Sequence, residues 1–185
     1  MSDRIDATAT DEHRRDLVAC ISAFLGLGAI GLIDQLGLPG FDPVFLVGSL
    51  GASAILLFGA PDSPMSQPKS VILGHFLSAL IGVSCHQVLG DTPWLAGSLA
   101  VALSLVAMRR TGTLHAPGGA SALIANIGTE RVTDLGYGYA FAPVLVGAIV
   151  LVAVAWVVRH GPAWMWRGLR RLSATGEIEA ESLAK

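Results

Sequence analysis

Gly51-Ala52-Ser53-Ala54-Ile55-Leu56 returns 68 positions later as Gly119-Ala120-Ser121-Ala122-Leu123-Ile124. Small-residue hexapeptides of this kind match by chance, but here the surroundings repeat as well. The same offset carries the first long apolar segment onto the region of the fourth, and the third onto the last. Each copy reads as a long helix, a short element rich in glycine, alanine and serine, and another long helix.

The composition says where such a chain lives. Of 185 residues, 52% are hydrophobic and 14% charged, and the mean hydropathy is +0.61; an ordinary soluble domain is about 25% charged. The apolar residues come in blocks, not at amphipathic spacing, so whole segments tolerate lipid on every side. Read as spans of about 20 residues, the blocks are Leu17 to Leu36, Phe45 to Ala60, Val71 to Leu89, Trp94 to Met108, a broken piece from Thr113 to Gly128, and Tyr139 to Val158. Gly37-Leu38-Pro39-Gly40 ends the first, and Asp91-Thr92-Pro93 turns the third into the fourth. Residues 1–16 form a polar tail with no cleavage pattern after it, which predicts a cytoplasmic tail and a retained first span. Residues 17–158 are the transmembrane domain, with one repeat over 17–89 and the other over 94–158. Residues 159–185 form a second cytoplasmic tail. Within it, Pro162 to Leu172 mixes Trp164 and Trp166 with Arg167, Arg170 and Arg171, the pattern of an interfacial helix or of a stop-transfer flank. The net charge of −2 offers no basic field for nucleic acid. Cys20 and Cys85 read as packing residues, and the sequence implies no cofactor or metal.

Crossing number decides how the repeats are related. If the small-residue elements cross the membrane, each copy has three crossings, and the second copy is inserted upside down. If they dip and return, the copies are parallel. Six crossings place Arg4, Arg14, Arg15, Lys69, Arg109, Arg110, Arg159, Arg167, Arg170, Arg171 and Lys185 on the cytoplasmic side and leave Arg131 outside. Four crossings would move Lys69 and the Arg109-Arg110 pair outside, against the positive-inside rule. The expected fold is therefore all-α, with six crossings arranged as two inverted three-segment repeats. Both termini are cytoplasmic.

Pro117-Gly118-Gly119 excludes a plain helix through the second element, because proline lacks an amide donor and glycine is costly in a helix interior. An extended entry followed by a half-helix starting near Pro117 is expected. Gly48, Ser49 and Gly51 suit a similar start in the first element. Two half-helix N-termini meeting near midplane present free amides and positive dipole ends to a small anion. The candidate binding residues are Gly48, Ser49, Gly51, Ala52, Ser53, His115, Pro117, Gly118, Gly119, Ala120 and Ser121. For the glycines, close helix packing and an anion site are both open; for Ser53 and Ser121, so is bonding back to their own helices. His75 and His115 are candidates for proton transfer or gating, against neutral imidazoles bonded to nearby carbonyls. The chain carries no His-Glu-x-x-His, no serine elbow and no intramembrane carboxylate pair, so no enzyme is expected.

Gly48 to Pro68, with Gly74-His75 and Thr113 to Leu123, resembles the HPP family of integral membrane proteins, and the resemblance covers about Leu17 to Val158. The family's His-Pro-Pro motif reads His115-Ala116-Pro117 here, keeping the histidine and the second proline. Plant and cyanobacterial members are associated with nitrite transport, so the resemblance implies a small monovalent anion as cargo. The expectation is a transporter for a small inorganic anion, nitrite leading, in a bacterial inner membrane. A chain this small around a central path also predicts a homodimer. A passive anion channel, or a structural or sensory membrane subunit, would carry many of the same features.

Overall fold

The computed structural model describes residues 2–36 and 48–160. Its helices are α1 (Ser2–Gln35), α2 (Gly48–Gly59), α3 (Pro68–Leu89), α4 (Pro93–Thr111), α5 (Ala116–Ile127), a one-turn α6 (Glu130–Thr133) and α7 (Val146–His160). A 3-10 turn, Pro64–Ser66, precedes α3, and a π-helical stretch, Ala140–Leu145, precedes α7. The Gly37 to Gly40 turn, the first three residues of the Phe45 to Ala60 stretch and the interfacial segment from Pro162 to Leu172 lie outside the described residues. Among the described residues there is no strand.

Three helical stretches are long and apolar enough to cross a membrane: Arg15–Ile33, Pro68–Leu89 and Ala140–His160. Their outward faces are apolar too. Phe24, Leu32, Val88, Trp94, Val106 and Trp156 are all more than half exposed, an arrangement that suits lipid and not water. The chain is an integral membrane protein. The short elements are half-length: α2 and α5 have 12 residues each, about 18 Å at ~1.5 Å per residue, against ~30 Å of hydrocarbon.

Two boundaries differ from expectation. The first helix does not begin at Leu17 but runs back through the polar residues to Ser2, a stretch containing good helix formers such as Ala7, Glu12, Arg14 and Arg15. The last span is not one uninterrupted helix. Ala142 takes extended angles (φ −139°, ψ 117°) just before Pro143, inside the π-helical stretch. Proline has no amide to donate and its ring disfavours a helical residue before it, so the helix breaks there and restarts as α7.

The helices pack in a regular pattern. α1 packs on α2 and α7, α2 on α7, α4 on α5 and α3, and α5 on α3; α2 also meets α5, and α3 meets α7. Exchanging α1, α2 and α3 with α4, α5 and α7 maps this set of pairs onto itself. One apolar cluster joins α1, α2, α3 and α7 through Ile30, Leu50, Ala54, Leu57, Val71, Ala148 and Leu151. A second joins α3 and α5 to the last span through Ala79, Val83, Ala125, Tyr139, Ala140 and Val144.

The α3–α5 crossing is made by small residues. A Cβ added at Gly82 would lie 2.6 Å from the Ala122 carbonyl oxygen, and one at Gly118 would lie 2.8 Å from that of Gly74. A Cβ at Gly74 would come within 2.8 Å of both the Thr113 carbonyl oxygen and His115 Cβ. Lipid tails are as apolar as leucine, so close backbone approach and polar contacts hold such helices together. This crossing sets the depth of α5 and of the histidine at its entrance.

Basic residues collect at one end of the bundle. Lys69 Nζ donates to the Thr111 carbonyl at 3.5 Å, next to Arg109 and Arg110. Arg159 pairs with Asp62 at 2.6 Å, and Arg15, Asp62 and Arg159 line one groove. Arg131, on α6 just past the C-terminus of α5, belongs to the opposite end, where Val132 joins Val83 and Ala125 in the core.

Candidate functional site

α4 ends at Gly112, whose φ of +64° is a left-handed cap that only glycine adopts freely. The chain then turns back into the bundle. His115 is extended (φ −142°, ψ 105°) and forms the N-cap of α5, and Pro117 occupies the second helical position, where its missing amide costs nothing. The expected extended entry and half-helix are both present. The Gly118 amide already donates to the His115 carbonyl at 2.9 Å, so the first turn of α5 is partly satisfied from within.

The first turns of α2 and α5 lie side by side, and their serines meet across the gap. The Ser49 and Ser121 hydroxyls are hydrogen-bonded at 2.9 Å. His75, projecting from α3, bridges the two elements: its Nδ1 is 2.7 Å from Ser121 Oγ and its Nε2 is 2.6 Å from Ser53 Oγ. Ser53 Oγ is also 2.8 Å from His115 Nε2 and 3.0 Å from the Ser49 carbonyl oxygen. His115 Nδ1 donates to the Met65 carbonyl at 2.7 Å. The imidazole rings stand edge to face, 4.8 Å between centroids. Ser53, His75, His115 and Ser121 are fully buried, and Ser49 is nearly so.

The expected binding set therefore divides. Ser49, Ser53, His75, His115 and Ser121 come together in one hydrogen-bonded cluster, while Pro117 and Gly118 are buried at the α3–α5 crossing beside it. Gly48 and Ala52 face outward, and Gly51, Gly119 and Ala120 are half-buried. A Cβ on Gly51 would meet nothing within 4 Å, and one on Gly119 would approach only Val101 on α4, at 3.8 Å. Helical geometry explains the split: Ser49 and Ser53 are four residues apart on one face, and Gly48 and Ala52 occupy another. For Gly74, Gly82 and Gly118 the structure shows close packing.

Two members of the cluster were not legible beforehand. Met65 contributes only a backbone carbonyl, which leaves no mark in a sequence. Tyr139, fully buried, donates its hydroxyl to the Ser121 carbonyl at 3.1 Å; a tyrosine at the head of an apolar run, needing a partner for its hydroxyl, was the available clue. His86 lies about three turns further along α3, away from the cluster. Among the described residues no three His, Cys, Asp or Glu side chains are grouped to hold a metal ion.

Against known families, residues 9–165 match the transmembrane region of HPP proteins. The chain belongs to the HPP family. It is 37% identical over 155 residues to a transmembrane protein of Dictyostelium discoideum, covering 79% of this chain and 54% of that one. A second Dictyostelium transmembrane protein is 36% identical over 155 residues, with 79% and 50% covered. This HPP chain thus spans about half the length of the curated relatives it matches. No solved structure matches it.

Proposed function

We propose that this HPP protein is a permease for a small inorganic anion, with nitrite the leading candidate, and that the ion passes where the first turns of α2 and α5 meet. The observation that carries the reading is the direct contact of two half-length helices through Ser49 and Ser121, 2.9 Å apart and buried. Irregular backbone ends at this depth are tolerated only where protein or a water path satisfies them. Broken helices meeting near midplane are how many secondary transporters bind ions. Hydroxyl and imidazole N–H groups then supply directed donors for an oxyanion.

The same reading takes the chain as six crossings in two inverted repeats. The packing pairs that persist when the two helix triplets are exchanged support the repeat. The gathering of Arg15, Lys69, Arg109, Arg110 and Arg159 at one end supports the orientation, cytoplasmic there in a bacterial inner membrane. No catalytic activity is proposed, and the working assembly is a homodimer.

Proteoliposomes containing the purified chain test this. Protein-dependent nitrite uptake, reduced at least about tenfold by Ser49→Leu, which fills the serine junction, is the expected result. Equilibration without accumulation under any gradient would make the protein a channel. Absence of flux for nitrite and other small anions would leave a structural or sensory subunit.

A further inference from the structure

The hydrogen-bond directions in the buried cluster follow from its one fixed end. The Met65 carbonyl only accepts, so His115 carries its proton on Nδ1, 2.7 Å away. In a neutral His115, Nε2 is then bare, and Ser53 must donate to it across 2.8 Å. That uses the one Ser53 proton, so His75 donates from Nε2 to Ser53 across 2.6 Å. His75 Nδ1 is bare in turn and accepts from Ser121 across 2.7 Å; the Ser121 hydroxyl is also placed to donate to Ser49, 2.9 Å away. The two imidazoles are held as opposite tautomers.

The same heavy atoms also accommodate one added proton. With His115 protonated on both nitrogens, its Nε2–H donates to Ser53, and the Ser53 hydroxyl has two acceptors in reach. One is the Ser49 carbonyl at 3.0 Å. The other is His75 Nε2, in which case His75 donates from Nδ1 to Ser121 and Ser121 donates to Ser49. In both patterns every imidazole N–H and the Ser53 and Ser121 hydroxyls have an acceptor. A second added proton would set two imidazolium charges 4.8 Å apart in a buried cluster whose other groups are neutral. The cluster is built for zero or one extra proton.

From this arrangement we infer that His75, Ser53 and His115 relay a single proton between the α2–α5 junction and the Pro61–Gln67 side of the membrane, and that each anion moves with that proton. The inference rests on the permease reading. In the transfer an N–H bond forms at His75 Nδ1 and one breaks at His75 Nε2. That proton forms a new O–H on Ser53, and the former Ser53 proton forms the N–H at His115 Nε2. The net result is one proton moved from the junction to His115. His115 is the member closest to the aqueous phase, since its partner Met65 is half-buried and the neighbouring Pro64 and Gln67 are exposed. Other groups facing the pair are neutral hydroxyls: Ser49 and Ser53 from α2, Ser121 from α5, and the Tyr139 phenol on the Ser121 carbonyl. Among the described residues no carboxylate or basic side chain is hydrogen-bonded to either imidazole. A monovalent anion travelling with one proton carries no net charge, so the relay predicts electroneutral transport.

Two measurements on the full chain test the relay. In proteoliposomes, the steady-state nitrite accumulation ratio, compared with protein-free vesicles, should rise about tenfold for each unit of inward acid gradient, as one-to-one coupling requires, and should not respond to a potassium–valinomycin potential. Uptake driven by the potential and indifferent to the acid gradient would overturn the proposal. The second measurement needs no transport, so it separates failure of the relay from failure of the permease reading. In histidine-15N-labelled protein in lipid bilayers, His115 should show a protonated Nδ1 and His75 a protonated Nε2, with one proton taken up by the pair together on acidification. Ser53→Ala should abolish that joint uptake and Ser53→Thr should preserve it. Matching tautomers on both rings, or two protons taken up independently, would overturn it even if nitrite is carried.

Discussion

Replacing Gly82 by alanine, with Gly119→Ala as its partner experiment, separates the packing role of glycine from every other. At Gly82 the added Cβ would meet the Ala122 carbonyl oxygen at 2.6 Å, Ala122 Cα at 2.8 Å and Ala125 Cβ at 3.0 Å. The first two are backbone atoms, which no rotamer change moves aside. Ordinary contact begins near 3.4 Å, so α3 and α5 must part by some tenths of an ångström along a crossing whose other close points are Gly74 and Gly118. Overpacking of this kind costs about 1–3 kcal/mol, and contact with two backbone atoms of α5 places Gly82→Ala near the upper end. The helix-propensity gain, up to ~1 kcal/mol in water, is small here because a lipid-embedded helix keeps its hydrogen bonds in the unfolded reference. A net loss of about 2 kcal/mol is expected. At Gly119 the new methyl group finds only Val101 Cγ1 at 3.8 Å, and stability should stay within ~0.5 kcal/mol. Equilibrium unfolding of the two variants in mixed micelles of rising SDS fraction measures both. Equal midpoints for Gly82→Ala and wild type would refute the close-crossing argument. So would a Gly119→Ala loss as large as that of Gly82→Ala.

Tyr139→Phe removes the 3.1 Å bond to the Ser121 carbonyl; about 1 kcal/mol of stability should go with it in the same titration. Ser66→Ala deletes a buried hydroxyl placed to donate to the Leu56 and Ala60 carbonyls at 3.0 and 2.7 Å. That change frees the last turn of α2 and should cost about 1–2 kcal/mol while shifting the 15N signals of His115 through the Met65 loop. With both native cysteines replaced, single cysteines at Asp62 and Arg131 should react with a membrane-impermeant maleimide from opposite sides. Labelling of both from one side would reject the orientation. Asp62→Asn should leave the SDS midpoint unchanged, because its partner Arg159 and the carboxylate are both largely exposed.

Much of the architecture was readable because its causes are local. Blocks of apolar residues, the Asp91-Thr92-Pro93 turn and the Pro117-Gly118-Gly119 start each act over a few residues, and α3, α4 and α5 begin and end within a few residues of where those signals fall. The positive-inside count grouped Lys69 with Arg109 and Arg110, and Lys69 Nζ lies on the carbonyl of the adjacent Thr111. The break before Pro143 was not anticipated, although its causes, a missing amide and a ring that disfavours a helical residue before it, are local too. The site was half legible. Residue type marked Ser53, Ser121, His75 and His115, whereas which faces of α2 and α5 turn inward depends on the crossing with α3, so Gly48, Gly51, Ala52 and Gly119 were grouped with residues they do not join.

On the repeat reading, the offset of 68 also explains why the cluster is lopsided. Ser53 has Ser121 as its counterpart, and both are used. His75 corresponds to Pro143, and His115 corresponds to Val47. The duplicated elements therefore supply a symmetric scaffold of small residues and hydroxyls, and the titratable groups were added to one side of it. Since His115 ends at the Met65 carbonyl and His75 reaches it only through Ser53, both histidines communicate with the same membrane face. The opposite half, where Pro143 stands in the place of His75, has no second imidazole at the equivalent position to pass a proton onward. On the permease and relay readings, a proton reaching the junction from that side would arrive with the cargo, so that position alone would tie proton movement to anion movement.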